Sequence, residues 1–568
     1  MNAVESSSNP KLYGRWLLFI AGIGGLLYGI DVGIISAALL YLGKTVDLTV
    51  RETSAIVAAV FGGSMLSSLI AGFLADWVGR KKMVVLSGLL FVASVGIIVL
   101  SQGFVSLLMG RLLQGLSGGV IAVVVPLYLA ECLSAGMRGR GSSIFQFALT
   151  FGIIAAAFIG FYYTHQAEAA VTAAHGNTTL IRAAQDHAWR GMFLSVVYPG
   201  LVFFFGAFFL SETPRWLFLK GRTEEAYQSL RRSTTPAEAD LEMREMESLA
   251  LENANSRNLN AGKSGSLVQR KYVYPFVLAC IILACNQTTG INSILGYLAV
   301  ILKQAGLSLT QATQGDLVVK ILNCLVTVIA VTLIDRKGRK FLLTLGTGGI
   351  IIALGAAALI FHAFESKRVD LQTQVQQQVI GNQLGVTAAN VNTWSSQIGR
   401  PTSLTVLYTY GDGDKIATLT GSDLEPLKLE PETGSKASPL VIRHAFLTPI
   451  PSEMTGRLIA GCLALFIACF AIGPGVVVWL TLSELMPTRI RSAGMGIALL
   501  LNQGVSTAIA GVFLPVVSVY GYYAMFLFWA LCTVIYFVTA AFFLPETKGK
   551  TLEEIERNFD RSSDRVHA

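Results

Sequence analysis

DWVGRK at residues 76–81 and DRKGRK at 335–340 are one motif written twice: an acidic residue, a glycine three places on, then Arg-Lys. Two further charged marks follow each copy in the same order. Glu131 with Arg138 seven residues later returns as Glu484 with Arg491, and Glu212-Thr213 returns as Glu546-Thr547. Three matches in one order indicate an internal duplication rather than unrelated charged loops. Spacing tests this, because Asp76 and Glu131 are 55 residues apart whereas Asp335 and Glu484 are 149 apart. The excess is 94 residues, and a polar stretch at 363–455 is 93 residues long. Without that insert the copies fall almost into register, so each half is one repeat unit.

Residues between the marks are mostly apolar. With 53% hydrophobic and 14% charged residues among 568, and a mean hydropathy of +0.58, the chain has more apolar surface than one water-soluble core can bury. Twelve apolar runs can cross a bilayer, near 15–40, 53–75, 83–101, 105–130, 142–163, 191–210, 273–303, 315–334, 341–362, 456–482, 493–516 and 520–544. The first is longer than a signal-peptide core and no small-residue cleavage pattern follows it, so it is expected to stay as a span.

The net charge of +8 lies in short clusters between the runs with no continuous basic face, which argues for membrane anchoring and against nucleic acid. Arg80, Lys81, Lys82, Arg138, Arg140, Arg336, Lys337, Arg339, Lys340, Arg489 and Arg491 fall on one side, whereas the turns near Gln102 and Tyr520 carry no Lys or Arg. The positive-inside rule then predicts a multi-pass protein of a plasma or inner membrane with both termini cytoplasmic. The seven cysteines lie in or beside apolar runs without metal-ligand spacing, and no GxxxxGK[ST] or HExxH motif occurs. Neither an enzyme nor a metal or cofactor site is therefore expected.

The chain divides into an N-terminal tail (1–14), a six-span half (15–210), amphipathic cytoplasmic helices (211–272), spans seven to nine (273–362), the polar insert outside the membrane (363–455), spans ten to twelve (456–544) and a C-terminal tail (545–568). Within the insert, SLTVLYTY and KIATLT flank GDGD, which predicts a β-hairpin.

The surrounding text resembles the sugar porters of the major facilitator superfamily over nearly the whole length apart from the insert. The carriers of the resemblance are GGLLYGID (24–31), GFLADWVGRKK (72–82), GRLLQG (110–115), PLYLAE (126–131), SETPRW (211–216), NQTTGIN (286–292), DRKGRK (335–340), GPG (473–475) and PETKGKTLEE (545–554). It implies an all-α membrane protein of the major facilitator fold, twelve helices in two six-helix halves, working by alternating access. The insert between helices nine and ten is unusual for that fold.

Asp31 lies inside the first run, where an uncompensated carboxylate costs at least about 2.5 kcal/mol and is a functional hypothesis by default. Arg111 in the fourth run can reach a similar depth, and a proton on Asp31 would cancel its attraction for the arginine. The resemblance implies that this Asp and Arg couple protons to sugar. Sugar hydroxyls both donate and accept, so side-chain amides suit them, with a flat apolar surface for the C–H face. Gln146, Asn286, Gln287, Asn292, Asn323, Trp479 and Asn502 are the candidates. The resemblance favours solute contact for Gln146, Gln287, Asn292 and Trp479, while helix-to-helix hydrogen bonding stays open for Asn323 and Asn502. Asn286 stands where the family often has glutamine, Gly296 where it has an aromatic, Val476 where it has proline and Gln503 where it has tryptophan, so a reshaped pocket is expected.

Asp76, Arg80, Glu131, Arg138, Arg140, Glu212 and Arg215, with Asp335, Arg339, Glu484, Arg491 and Glu546, resemble the cytoplasmic charge network that latches such carriers outward-facing. The expected partners are a monosaccharide, protons and the lipid bilayer, with the chain a monomer. A uniporter of sugars or polyols is the alternative, and the short tails disfavour a non-transporting sensor.

Overall fold

A computed structural model describes residues 10–548, except 134, 261–269, 397–400, 412, 422–425, 432–437 and 487–490. Among the described residues, twelve helices are long and apolar enough to span a membrane: Leu12–Thr45, Val50–Val78, Arg80–Val99, Phe104–Cys132, Ser143–Ala173, Thr178–Phe208, Val273–Gln304, Leu309–Ile334, Arg339–Glu365, Glu453–Leu482, Gly494–Tyr520 and Tyr522–Phe543. They are spans one to twelve below. Helices answer the constraint that lipid offers no hydrogen bonds, so the backbone must satisfy its own. Apolar residues such as Phe73, Phe158, Ile352 and Leu359 remain exposed on their flanks, as a lipid solvent requires.

Spans five and six run further than hydropathy predicts. Their polar continuations, through Gln166 and back through Arg182 and Asp186, turn over at His175 and Gly176, both at positive φ, with Asn177 capping the return helix. These turns escape a hydropathy window because Trp189, their largest anchor, is fully buried amid charged neighbours. Span seven breaks at Gly290, which stands at φ +81° between helices Arg270–Thr288 and Ile291–Gln304. A Cβ there would lie 2.3 Å from the Trp529 ring, so glycine is required twice, by conformation and by space.

Three helices, Pro214–Leu219, Thr223–Ser233 and Pro236–Asn260, follow span six at the end of the bundle where span one begins and span twelve ends. The opposite end carries the insert. Its strands are β1 (Val369–Asp370), β2 (Val379–Ile380), β3 (Gln383–Val386), β4 (Thr402–Thr409), β5 (Lys415–Thr420), β6 (Leu427–Leu429) and β7 (Val441–Pro449). The hairpin expected around GDGD is β4–β5, paired from Ser403–Thr420 to Tyr408–Lys415. It belongs to a four-stranded antiparallel sheet in the order β1-β7-β4-β5, beside a smaller sheet β2-β3-β6. Leu404, Val406, Ala445, Leu447 and Val386 give the insert a core of its own.

The insert leaves the second half but docks on the first. Val50 N–H donates to Asp414 O at 2.8 Å, and Lys415 pairs with Asp47, both at the turn between spans one and two. Below it the halves meet through spans one with seven, two with eleven and five with eight.

Candidate functional site

Asp31 and Arg111, read separately from the sequence, meet inside the first half. Arg111 Nη1 donates to Asp31 Oδ1 at 3.1 Å and to Gln114 Oε1 at 2.7 Å, and its guanidinium lies 5.7 Å from the Phe193 ring centroid. Asp31 is 0% and Arg111 2% exposed. The second carboxylate oxygen of Asp31 is buried and, among the described residues, has no hydrogen-bond partner. It faces Gly118, where a Cβ would stand 3.4 Å away, and Tyr28, which interacts with Gln503 of span eleven. One oxygen is thus held by a cation while the other is a vacant acceptor in a dry site, where a proton can reside without breaking a bond.

In the second half the break in span seven brings amides together. Asn292 Nδ2 donates to Gln287 Oε1 at 2.9 Å and to Ser506 Oγ at 2.8 Å, while Gln287 Nε2 donates to Asn502 Oδ1 at 3.2 Å. Asn502 Nδ2 in turn donates to Leu283 O at 3.2 Å. Asn286 is buried beside them with Oδ1 unpartnered among the described residues. Beneath the break, Trp529 and Phe513 stack at an interplanar angle of 3°, and Tyr297 lies 4.5 Å from Phe513 between ring centroids. Gln287, Asn292 and Asn502 therefore form one chain. Gln146 is exposed, Asn323 is half-buried and Trp479 is 43% exposed, so these three stand outside that chain. Ser506 was not among the sequence candidates, since a lone serine in an apolar run has no signal beyond its spacing of four from Asn502.

Gly296, where the family tends to have an aromatic, faces the first half. A Cβ on it would stand 3.5 Å from Val57 and 3.7 Å from Ile35, so its smallness lets spans one, two and seven approach.

Among the described residues, the duplicated charges form two matching clusters. The Glu212 carboxylate accepts from the N–H groups of Arg80, Lys81 and Thr213 at 2.9–3.0 Å. Glu546 likewise accepts from Arg339, Lys340, Thr547 and Lys548 at 3.0–3.2 Å. A carboxylate thereby caps the first turn of spans three and nine, where free N–H groups and the helix dipole favour negative charge. The motif glycine permits this: Gly79 and Gly338 have φ of +109° and +90°, and a Cβ would fall 2.3 Å and 2.6 Å from the capping carboxylates. Arg80 also donates to Glu131 Oε1 at 3.0 Å and pairs with Asp76 at 2.7 Å, and Arg339 donates to Glu484 Oε1 at 3.1 Å. Thr213 and Thr547 donate to Glu131 and Glu484, each at 2.6 Å.

Among the described residues, every partner of Glu131, Glu212, Glu484 and Glu546 belongs to the same half as the carboxylate. Arg215 is exposed, and the side chains of Arg138, Arg140, Asp335 and Arg491 lie outside those described. The carboxylate cap recurs at the insert end, where Glu365 accepts from Tyr522 and Tyr523 N–H at 2.8 and 3.0 Å across Gly521.

One more charged group lies inside the membrane region. Asp316 and Lys320 of span eight pair at 2.7 Å and are 1% and 0% exposed. Neither was among the residues singled out from the sequence, although the rule that singled out Asp31 applies to both and their spacing of four marks a pair on one helix face.

The sequence profile of the family described as Sugar (and other) transporter matches residues 17–387 and 440–559. The chain is 28% identical over 547 residues to the glucose transporter GlcP of Staphylococcus epidermidis, covering 95% of this chain and 96% of that one. It is 25% identical over 562 residues to the galactose-proton symporter of Escherichia coli strain K12, covering 98% and 97%. Its fold is similar to that of the inward-open xylose transporter XylE from E. coli, with a TM-score of 0.66 at 20% identity over 95% of this chain and 98% of that one. Two six-span halves with matching charge clusters and a profile match on both sides of the insert lead to one assignment: the chain belongs to the sugar porter family of the major facilitator superfamily.

Proposed function

We propose that this protein is a proton-coupled carrier of a monosaccharide, working by alternating access. The observation that carries the reading is Asp31, wholly buried in span one, with one oxygen on Arg111 and the other unpartnered. Protonation there removes the charge that holds Arg111 and so changes the balance between span one and span four. A carboxylate that exchanges its proton with one face and then the other can link a pH gradient to the movement of the halves. The linked amides Gln287, Asn292 and Asn502 supply donors and acceptors that a polyol can replace one for one. Gln146, Asn286, Asn323 and Trp479 complete the sugar site as the tail end closes.

Several features support the orientation. Arg80, Lys81, Lys82, Arg336, Lys337, Arg339 and Lys340 crowd the tail end, which supports reading the tails as cytoplasmic and the insert as lying outside a plasma or inner membrane. Among the described residues, the hydrogen bonds that join Gly33, Ser36 and Ser54 to the second half lie toward the insert end, which supports reading this form as inward-facing. The clusters around Glu212 and Glu546 then serve first as helix caps. Their latch role, if the halves close at the tail end, belongs to the other conformation. No cofactor is required, the proton being the coupling ion.

The test is uptake by purified protein in vesicles, with labelled hexoses, pentoses and polyols and an imposed pH gradient. The expected result is uphill accumulation of at least one monosaccharide that collapses with the gradient, and an Asp31→Asn protein that exchanges sugar but does not accumulate it. Accumulation by Asp31→Asn equal to the parent would overturn proton coupling through this residue. Transport of no sugar or polyol would overturn the whole reading.

A further inference from the structure

The buried pair Asp316–Lys320 is placed where the two halves touch. Lys320 Nζ donates to Gly33 O of span one at 3.1 Å, and Ser36 Oγ of span one donates to Asp316 Oδ1 at 3.1 Å. Ser36 Oγ also accepts from Ala299 N–H of span seven at 3.0 Å. Gly33 and Ser36 follow Asp31 on the same helix by two and five residues. Three spans of both halves are thus joined by one polar knot, and Ser36, Asp316 and Lys320 are each no more than 1% exposed.

Two effects of opposite sign act on this knot. Its cross-half hydrogen bonds hold the insert end shut. Its charges are dehydrated only while that end is shut, and dehydration of an ion pair often outweighs the attraction within it. Parting the halves admits water to both charges without breaking their mutual bond, since both sit on span eight. We propose that Asp316–Lys320 is the outer gate's counterweight, a pair that makes the shut state marginal by being buried and so lets a small driving force at Asp31, on the same span-one helix, open the insert end. This rests on the alternating-access reading above.

The signs separate it from a simple latch. If the pair were only a latch, removing one charge or both would open the gate. On the counterweight account, removing one charge leaves the other buried and unpaired, which shifts the shut-to-open ratio toward open by on the order of 100-fold. Removing both together with Asp316→Leu and Lys320→Met relieves the dehydration and shifts the ratio toward shut by about tenfold. Gly33 O and Ser36 are not stranded by this change, because the carbonyl is within a helix and Ser36 keeps Ala299.

The experiment measures spin-label distances between Gly43→Cys and Gln304→Cys, exposed positions of the two halves near the insert end, in a background without the seven native cysteines. The parent is expected to show two distances whose populations respond to pH and sugar. Lys320→Met should enrich the longer and the double variant the shorter. Ser36→Ala, which removes a cross-half hydrogen bond while leaving both charges of the pair in place, should enrich the longer by about fivefold and serves if Lys320→Met does not fold. Single and double variants moving in the same direction, or a double variant at the parental ratio, would overturn the inference while leaving the transport reading intact. One fixed distance in the parent under all conditions would instead sink the transport reading itself.

Discussion

Gly29-Ile30-Asp31 in span one is answered by Gly290-Ile291-Asn292 in span seven. The duplicated halves differ there by one atom type: a carboxylate in the first, a carboxamide in the second. Twenty residues before Glu131 stands Arg111, whereas twenty residues before Glu484 stands Ala464, so the carboxylate has a cation opposite and the amide has none. Asn292 instead finds Gln287 and Ser506, neutral groups with both donors and acceptors. A carboxylate can take up and release a proton and an amide cannot. On the proposed function, duplication followed by this divergence would let one half respond to protons while the other offers neutral hydrogen bonds to a sugar, so the two chemistries need not share a residue.

Making the halves alike is the strongest way to break that comparison. Asp31→Asn should reduce gradient-driven accumulation in vesicles to background while exchange continues. In the other half, Asn292→Ala removes both its hydrogen bonds, and the half-saturating sugar concentration should rise about 10- to 100-fold, read from uptake at fixed pH gradient. If Asn292→Ala abolished the response to pH instead, the division of labour would be wrong. Gly290→Ala forces a side chain into positive φ against Trp529, with an expected loss of about 1–3 kcal/mol measured by thermal unfolding in detergent. The smallest effects belong to the paired caps. Glu212→Gln and Glu546→Gln should each lower stability by about 1 kcal/mol and by similar amounts, since the two sites have the same geometry. A large inequality between them would show that one cluster bears a load the other does not.

The halves and the twelve spans were legible because each leaves a mark in composition or spacing: apolar runs and repeated charges. The meeting of Asp31 with Arg111 followed from depth alone. What stayed hidden depended on distance along the chain. β7 pairs with β4 across more than thirty residues, so a local hairpin signal finds β5 and misses the strand on its other side. The charge motifs announced two clusters but not their partners, which Gly79 and Gly338 decide by letting a carboxylate of the same half approach the helix end. Asp316 and Lys320 were visible as letters, yet only the packing of span eight on span one shows that they face the seam between the halves.

The insert is rooted in one half and rests its hairpin on the other, through Asp414 and Lys415 at the turn that joins spans one and two. If that end of the bundle gapes, the hairpin has to let go of its seat or be carried across with it. Either way, on the proposed alternating access, the insert would act as a lever arm on the seam. If the proposed cycle is right, an antibody fragment that glued β5 to the turn would stall uptake without touching Gln287, Asn292 or Asn502.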